Sequence, residues 1–320
     1  MHDKSIVDSQ FKSYVEKFDY ISIADLITYK GSENSYLEYI TDNHAHLLRQ
    51  KLLIKIESNT PFSYVRMGDG EGNCLFYKKY EDKFNILAKF CMDRIWRLMF
   101  GRVKYKTEDF KNISQKIAEA FVSADFLGVH TDNQVEKAIK SLSVISAETD
   151  VRGMCGVLST RDFLIKSIND EDKRVKEANL VSCHSHKLVS DFFCDLVKAA
   201  GNVSVISCYV ESLAALHQYC GVKKGFNYII PPQALNVGGT PEEHHFPGVF
   251  QKILISIRQS DLKGKLFFVA AGILGKIYCT EIKKAGGMAI DVGSMMDVWM
   301  GHSVRGYQNA EYLKLHSLIK

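Results

Sequence analysis

The feature that most restricts the fold is a repeated order of short apolar segments, each followed by a helix-like segment. VSVIS (203–207) and KLFFVAA (265–271) precede segments with helical periodicity, and MAIDVG (288–293) closes the series. Short β-branched strands that alternate with helices are typical of a parallel sheet covered on both faces. We therefore predict an α/β fold with a Rossmann-like, mainly parallel sheet flanked by helices. The predicted strands are 62–66, 126–130, 203–207, 227–231, 265–270 and 288–292.

The chain before the first predicted strand has a different pattern. Residues 1–58 are amphipathic with helical spacing, which predicts an N-terminal helical extension followed by a main domain over 59–320. Residues 177–200, EANLVSCHSHKLVSDFFCDLVKAA, also show helical spacing, with Val181 and His184 on one face. This pattern predicts a helix through Cys183 and His184, the only local cluster of metal-ligand residue types.

Composition and charge exclude several classes of protein. A net charge of +4 is too small to indicate a nucleic-acid groove, so no nucleic-acid partner is predicted. The longest apolar runs fall far below the roughly 20 residues of a membrane helix, and the polar start MHDKSIVDSQFK does not resemble a secretory signal. The eight cysteines form no CxxC pair, which favours reduced thiols. The sequence predicts a cytoplasmic protein without a transmembrane segment.

The stretch PFSYVRMGDGEGNC (61–74) is the first candidate for chemistry. A strand pattern runs directly into glycines, with Arg66 just before the two acids Asp69 and Glu71. In an extended backbone, residues two apart point the same way, so both carboxylates would face one spot and favour a divalent cation between them. The alternative is a polar turn after an edge strand.

A second candidate lies at 270–294, AAGILGKIYCTEIKKAGGMAIDVGS. Its glycines fall where a predicted strand meets a helix, where backbone amides can hold a phosphate, and Lys276 would add positive charge. The pattern is neither a Walker A loop nor the GxGxxG fingerprint of dinucleotide-binding proteins. A glycine that allows close packing of strand and helix explains the same pattern.

The segment 231–247 contains four of the five prolines together with the paired His244 and His245. A long connection without its own periodicity is unusual inside a compact domain and is often a lid or a binding loop. We predict that it borders the active cleft and becomes ordered when donor or acceptor binds. The alternative is a surface insertion.

Two of these segments together resemble a known family. SYVRMGDGE (63–71) is similar to the SxxRxGDGE signature of the GT-D-fold glycosyltransferases, and 272–299 is similar to that family's C-terminal strand–helix–strand segment with an IDxG motif. The resemblance covers roughly 60–310 and implies a transferase that uses a nucleotide-sugar, usually a UDP-sugar. The residues that it assigns to the donor are Arg66, Gly68, Asp69, Gly70, Glu71, Gly272, Gly275, Lys276 and Ser294.

The resemblance also implies a cofactor. Asp69 and Glu71 would bind Mn²⁺ or Mg²⁺, which bridges to the diphosphate and neutralises the charge of the leaving group. The acceptor would be a glycan or a glycoprotein, in the biosynthesis of a cell-surface polysaccharide. The oligomeric state is left open, including a homo-oligomer.

The general base for the acceptor hydroxyl is not determined by the sequence. The candidates are His244, His245, Asp291 and Asp297, because histidine and acidic side chains can accept the proton. Asp291 is also suited to binding a ribose or capping a helix, and Asp297 to the first turn of a helix. Two other functions stay open: a nicotinamide-dependent oxidoreductase, which the missing GxGxxG argues against, and a non-catalytic nucleotide-binding partner.

Overall fold

The structure, a computed structural model, describes residues 3–18, 42–100, 106–169, 177–232, 244–303 and 308–319. These residues contain a seven-stranded parallel sheet flanked by helices. The strands are β1 Phe62–Arg66, β2 Phe126–Val129, β3 Asn179–Ser182, β4 Ser204–Ser207, β5 Asn227–Ile229, β6 Leu266–Val269 and β7 Met288–Asp291. Their spatial order is β3-β2-β1-β7-β6-β4-β5. The predicted α/β fold with a Rossmann-like parallel sheet is confirmed.

The helices connect the strands and cover the sheet. They are α1 Lys4–Glu16, α2 Asp42–Glu57, α3 Asp69–Tyr80, α4 Asn85–Met99, α5 Thr107–Val122, α6 Asp132–Ser141, α7 Val151–Asn169, α8 His186–Ala200, α9 Ser212–Cys220, α10 Phe250–Arg258, α11 Leu274–Lys284, α12 Met295–Trp299 and α13 Ala310–His316. A 3₁₀ turn spans Leu142–Val144, and a π-helical turn spans His245–Val249. No helix among the described residues is both long and apolar enough to cross a membrane.

All six predicted strands are present, but the prediction of one helix through 177–200 is wrong. Asn179–Ser182 is strand β3, which pairs in parallel with β2 so that Val181 lies opposite Gly128. Val181 and His184 therefore do not share a helix face. The physical reason is that a short, fully buried strand has no polar alternation, so its apolar residues also fit a helical period.

The chain divides into two compact units, described separately here. The first contains α1 and the segment Arg66–Cys183. In it, α3 packs against α7, α5 and α4. Tyr14 of α1 lies edge-on against Phe76 of α3 at 5.0 Å, so the N-terminal helix belongs to the core of this unit.

The second unit contains α2 and the segment His184–Ala234, together with the strands β6 and β7. Its strands β4, β6 and β7 are buried along their whole length. Trp299 packs against Phe193 and Phe268, and its indole N–H donates to Ser190 Oγ at 2.9 Å. Trp299 is therefore a residue of the hydrophobic core of this unit.

Candidate functional site

The turn after β1 is the start of a helix, not an extended segment. Gly68 is the N-cap of α3, which begins at Asp69, and the carboxylate of Glu71 accepts a hydrogen bond from the Gly68 amide at 3.1 Å. Successive residues of an α-helix are about 100° apart, so residues two apart point to different sides. The prediction that Asp69 and Glu71 face one spot through an extended backbone is therefore wrong. A glycine N-cap followed by acids in the first turn is a helix-start signal.

The two acids differ in exposure and hence in what each can do. Asp69 is exposed at the first residue of α3, whereas Glu71 is only 7% exposed and turns back onto Gly68. Glu71 satisfies one of the backbone amides that every helix N-terminus leaves without an intrahelical partner. The carboxylate of Asp69 faces solvent, and that of Glu71 holds the turn in shape.

A close helix crossing fixes this turn in place. An added methyl group at Gly72 would lie 2.0 Å from the carbonyl oxygen of Gly156 in α7, and one at Gly156 would lie 2.1 Å from the carbonyl oxygen of Asp69. The backbones of α3 and α7 therefore touch directly at these two glycines. The absence of a side chain at Gly72 therefore allows helix α7 to approach.

The ends of β2 and β3 contribute residues that the sequence did not assign to the site. Cys183 Sγ lies 3.6 Å from His130 Nδ1, and the carbonyl oxygen of Cys183 accepts from Arg66 Nη1 at 3.4 Å. Because β1, β2 and β3 are parallel neighbours, the residues after each strand meet at one edge of the sheet. The sequence placed His130 at the end of the predicted strand 126–130, which is where ligand-binding residues of parallel sheets occur. It placed Cys183 inside the helix that was wrongly predicted for 177–200, so Cys183 was not recognised as following a strand.

The environment keeps the Cys183 thiol protonated. Burial raises the pKa of this thiol to about 12, the Arg66 guanidinium opposes the shift, and the carboxylates of Asp69 and Glu71 add to it. A thiol with so high a pKa is a poor nucleophile at neutral pH. Cys183 is therefore a buried, protonated residue that lies close enough to both acids for them to raise its pKa.

His130 is neutral at physiological pH. Burial lowers its pKa to about 4, with a further lowering by the Arg161 cation and an opposing effect of Glu71. Arg161 is 1% exposed, donates to Asp132 Oδ1 at 2.6 Å and also donates to the carbonyl oxygen of His130 at 3.0 Å. The positive charge of Arg161 is thus matched inside the protein by Asp132. The small space beside Arg161, lined by Met67, Val129, His130, Thr160, Arg161 and Leu164, is too narrow to hold a water molecule.

In the second unit, the predicted phosphate ligand Lys276 forms a buried ion pair. Its Nζ lies 2.9 Å from Asp291 Oδ2 and also donates to the carbonyl oxygen of Gly272 at 3.2 Å. Both side chains are less than 5% exposed, so the charges neutralise each other in the interior. Gly272 has a positive φ of 55°, and a methyl group at Gly275 would lie 3.3 Å from Val269 Cγ1. These contacts favour the close-packing explanation of this glycine-rich segment.

The two predicted catalytic histidines are both buried. His245 Nε2 lies 3.0 Å from the Tyr278 hydroxyl, and burial lowers the pKa of His245 to about 3. His244 is 7% exposed, and neither of its ring nitrogens has a hydrogen-bond partner among the described residues. The predicted lid at 231–247 falls largely on 233–243, which lie outside the described residues.

Asp297 and Ser294 lie after β7, at the start of α12. Ser294 is the half-buried N-cap residue of this helix. The carboxylate of Asp297 accepts from the Tyr209 hydroxyl at 2.8 Å, and the Tyr209 ring stacks on His302 with 5.3 Å between centroids. Asp297 is half-buried, which makes it the most accessible of the four predicted bases.

At the start of α3, Asp69 is exposed and Glu71 is buried. Among the described residues, no group of three or more His, Cys, Asp or Glu side chains is arranged as a metal site. Mg²⁺ and similar hard cations are also bound through one or two carboxylates plus substrate phosphates, and the exposed Asp69 is suited to that arrangement.

Comparison of the chain with protein-family models, curated proteins and solved structures finds no match.

Proposed function

We propose that this chain is a metal-dependent glycosyltransferase that moves a sugar from a nucleotide-sugar, preferably a UDP-sugar, to a glycan or glycoprotein acceptor. The observation that supports it most is the exposed carboxylate of Asp69 at the first residue of α3, directly after the N-cap residue Gly68. A helix N-terminus attracts a phosphate, and a carboxylate at the same point attracts a cation. A metal–diphosphate pair is the ligand that satisfies both.

Each residue of the turn has its own part in this proposal. Asp69 would hold Mn²⁺ or Mg²⁺ together with the diphosphate oxygens, and Glu71 would keep the Gly68 amide and the first turn of α3 in shape. Arg66 is half-buried at the end of β1 and would add positive charge near the turn, since both Arg66 and Asp69 are close enough to Cys183 to affect its pKa. When bound, the cation would neutralise the charge that develops on the departing diphosphate.

The proposal can be tested by calorimetry of UDP binding with and without Mn²⁺. We expect Mn²⁺ to strengthen binding by the wild type, and Asp69→Asn to remove most of that gain, at least tenfold or about 1.4 kcal/mol. Glu108→Gln is the matched control, because Glu108 is also an exposed acid in the first turn of a helix, α5. Binding of equal strength in all three proteins, independent of Mn²⁺, would contradict the proposal.

The acceptor side is tested by activity rather than by binding. Asp297 is the base to examine first, because the other three candidates are less than 10% exposed. Asp297→Asn should lower the turnover of donor and acceptor while leaving the affinity for UDP unchanged. The rival oxidoreductase function is examined in the same calorimeter, since it requires binding of NAD(H) and none of UDP.

A further inference from the structure

Helices α8 and α9 bring two cysteines of the second unit together. The rings of Phe193 in α8 and Tyr219 in α9 stack with 5.6 Å between centroids and 28° between planes. The next residue of each helix is a cysteine, and the thiols of Cys194 and Cys220 are close enough for each to affect the pKa of the other. Helices α8 and α9 contact each other directly, and the two cysteines lie at this contact.

We propose that Cys194 and Cys220 form a reversible intramolecular disulfide by exchange with a small disulfide such as oxidised glutathione. Cys194 is half-buried, whereas Cys220 is 3% exposed. The partly accessible thiol can meet a reagent from solvent, and the buried thiol is in position to complete the bond. This inference does not depend on the proposed transferase activity.

The thiol–disulfide exchange takes place in two steps, in which the protons and electrons balance. Deprotonated Cys194 attacks one sulfur of the small disulfide, which forms a mixed disulfide and releases one thiolate. Deprotonated Cys220 then attacks the sulfur of Cys194, which forms the Cys194–Cys220 bond and releases the second thiolate. The two cysteines lose two protons and two electrons, and the small disulfide is reduced to two thiols.

The surroundings of Cys194 support its place as the attacking residue. Burial raises the pKa of the Cys194 thiol, but its interaction with Cys220 and the cation of Lys198 act in the opposite direction. Burial also raises the pKa of the Cys220 thiol. The greater exposure of Cys194 therefore makes it the residue that meets the reagent first.

The chain contains an internal control pair. Cys91 in α4 also lies close enough to Cys155 in α7 to affect its pKa, but both residues are fully buried. A reagent from solvent cannot reach either sulfur while the first unit is folded. If proximity of the two thiols were sufficient, the reagent would oxidise both pairs. If access from solvent is also required, it would oxidise only Cys194 and Cys220.

The test is incubation of the native protein with oxidised glutathione at about pH 8, where exchange is faster, followed by alkylation and non-reducing peptide mapping. We expect one linked peptide, Cys194–Cys220, that dithiothreitol removes, while Cys91 and Cys155 stay alkylated. Cys220→Ser should stop at a glutathione adduct on Cys194, and Cys194→Ser should slow glutathione incorporation at least tenfold. The folding of both variants is checked by circular dichroism.

Two results would overturn the inference. One is oxidation of Cys91–Cys155 as fast as Cys194–Cys220 in the native protein. The other is a wild-type protein that accumulates the glutathione adduct without forming the internal bond. Because both are read from the wild type, the conclusion holds even if a serine variant fails to fold.

Discussion

Replacing Gly156 by alanine should displace the first turn of α3, because the two helix backbones already touch at this point. The added methyl carbon would lie 2.1 Å from the carbonyl oxygen and 2.7 Å from the carbonyl carbon of Asp69. Non-bonded carbon atoms prefer separations of about 3.5–4.0 Å, so the crossing must open by about 1 Å. No rotamer change can relieve the contact, since both partners are backbone atoms.

The expected cost follows from two opposing terms. Forcing an extra carbon into a packed interior typically costs about 1–3 kcal/mol. Alanine in place of glycine inside a helix returns about 0.5–1 kcal/mol, because the unfolded chain loses less freedom. The midpoints of these two ranges give a net loss of about 1 kcal/mol in the free energy of unfolding for Gly156→Ala. The shift also moves Asp69, and a misplacement of about 1 Å can reduce catalysis about a hundredfold.

Urea denaturation measures the loss of stability, the rate of sugar transfer measures the loss of catalysis, and calorimetry of UDP with Mn²⁺ shows whether the displaced Asp69 still supports binding. Gly153→Ala is the matched control in the same helix, because the three atoms nearest to its methyl group all belong to the side chain of Asp150, which can rotate away, and not to the backbone. We expect this control to leave UDP binding with Mn²⁺ unchanged and to cost about 1 kcal/mol of stability at most, since Asp150 would lose its hydrogen bond from the Gly153 amide. Equal or greater stability of Gly156→Ala than of the wild type would refute the close crossing of α3 and α7.

Three further predictions concern the turn, the buried histidine and the buried ion pair. Glu71→Ala should lower the stability by about 1 kcal/mol because the Gly68 amide loses its acceptor, and Glu71→Gln, which can still accept, should cost less in the same urea titration. His245 binds a proton more readily in the unfolded chain, because burial lowers its pKa to about 3 in the folded protein. The free energy of unfolding should therefore fall as the pH drops from about 6.5 towards 3, by about 2 kcal/mol at pH 5. His245→Gln should remove most of this pH dependence. Lys276→Met should destabilise the protein by about 3–5 kcal/mol by leaving Asp291 buried without its cation, whereas the double variant with Asp291→Leu should recover most of the loss in thermal denaturation.

Much of the fold was determined locally and could therefore be predicted from the sequence. Short apolar runs such as VSVIS and LFFV are buried on both faces of a parallel sheet, and the helices between them have one apolar face. Six strands were placed within two residues of their observed bounds for this reason. The segment NLVS (179–182) was not predicted as a strand, because only its pairing with β2 distinguishes a short buried strand from the start of a helix.

The shape of the candidate site was decided by tertiary structure. The sequence contains the helix-start signal at Gly68–Glu71, yet the position of this turn depends on helix α7, some eighty residues further along, whose backbone at Gly156 lies against that of Asp69. The contact between His130 and Cys183 exists because β2 and β3 are neighbours in the sheet. The order of parallel strands is set by the summed packing of helices on both faces, which no local pattern contains.

The same reasoning explains the residues that the sequence assigned and the structure placed differently. Lys276 and Asp291 both carry charges that suit a ligand site when each is considered alone. Burial of both in adjacent elements makes each the counter-ion of the other, because a lone charge in the interior is strongly unfavourable. Residue types and spacing thus determined which groups are available, and the three-dimensional packing determined which of them remain accessible to a ligand.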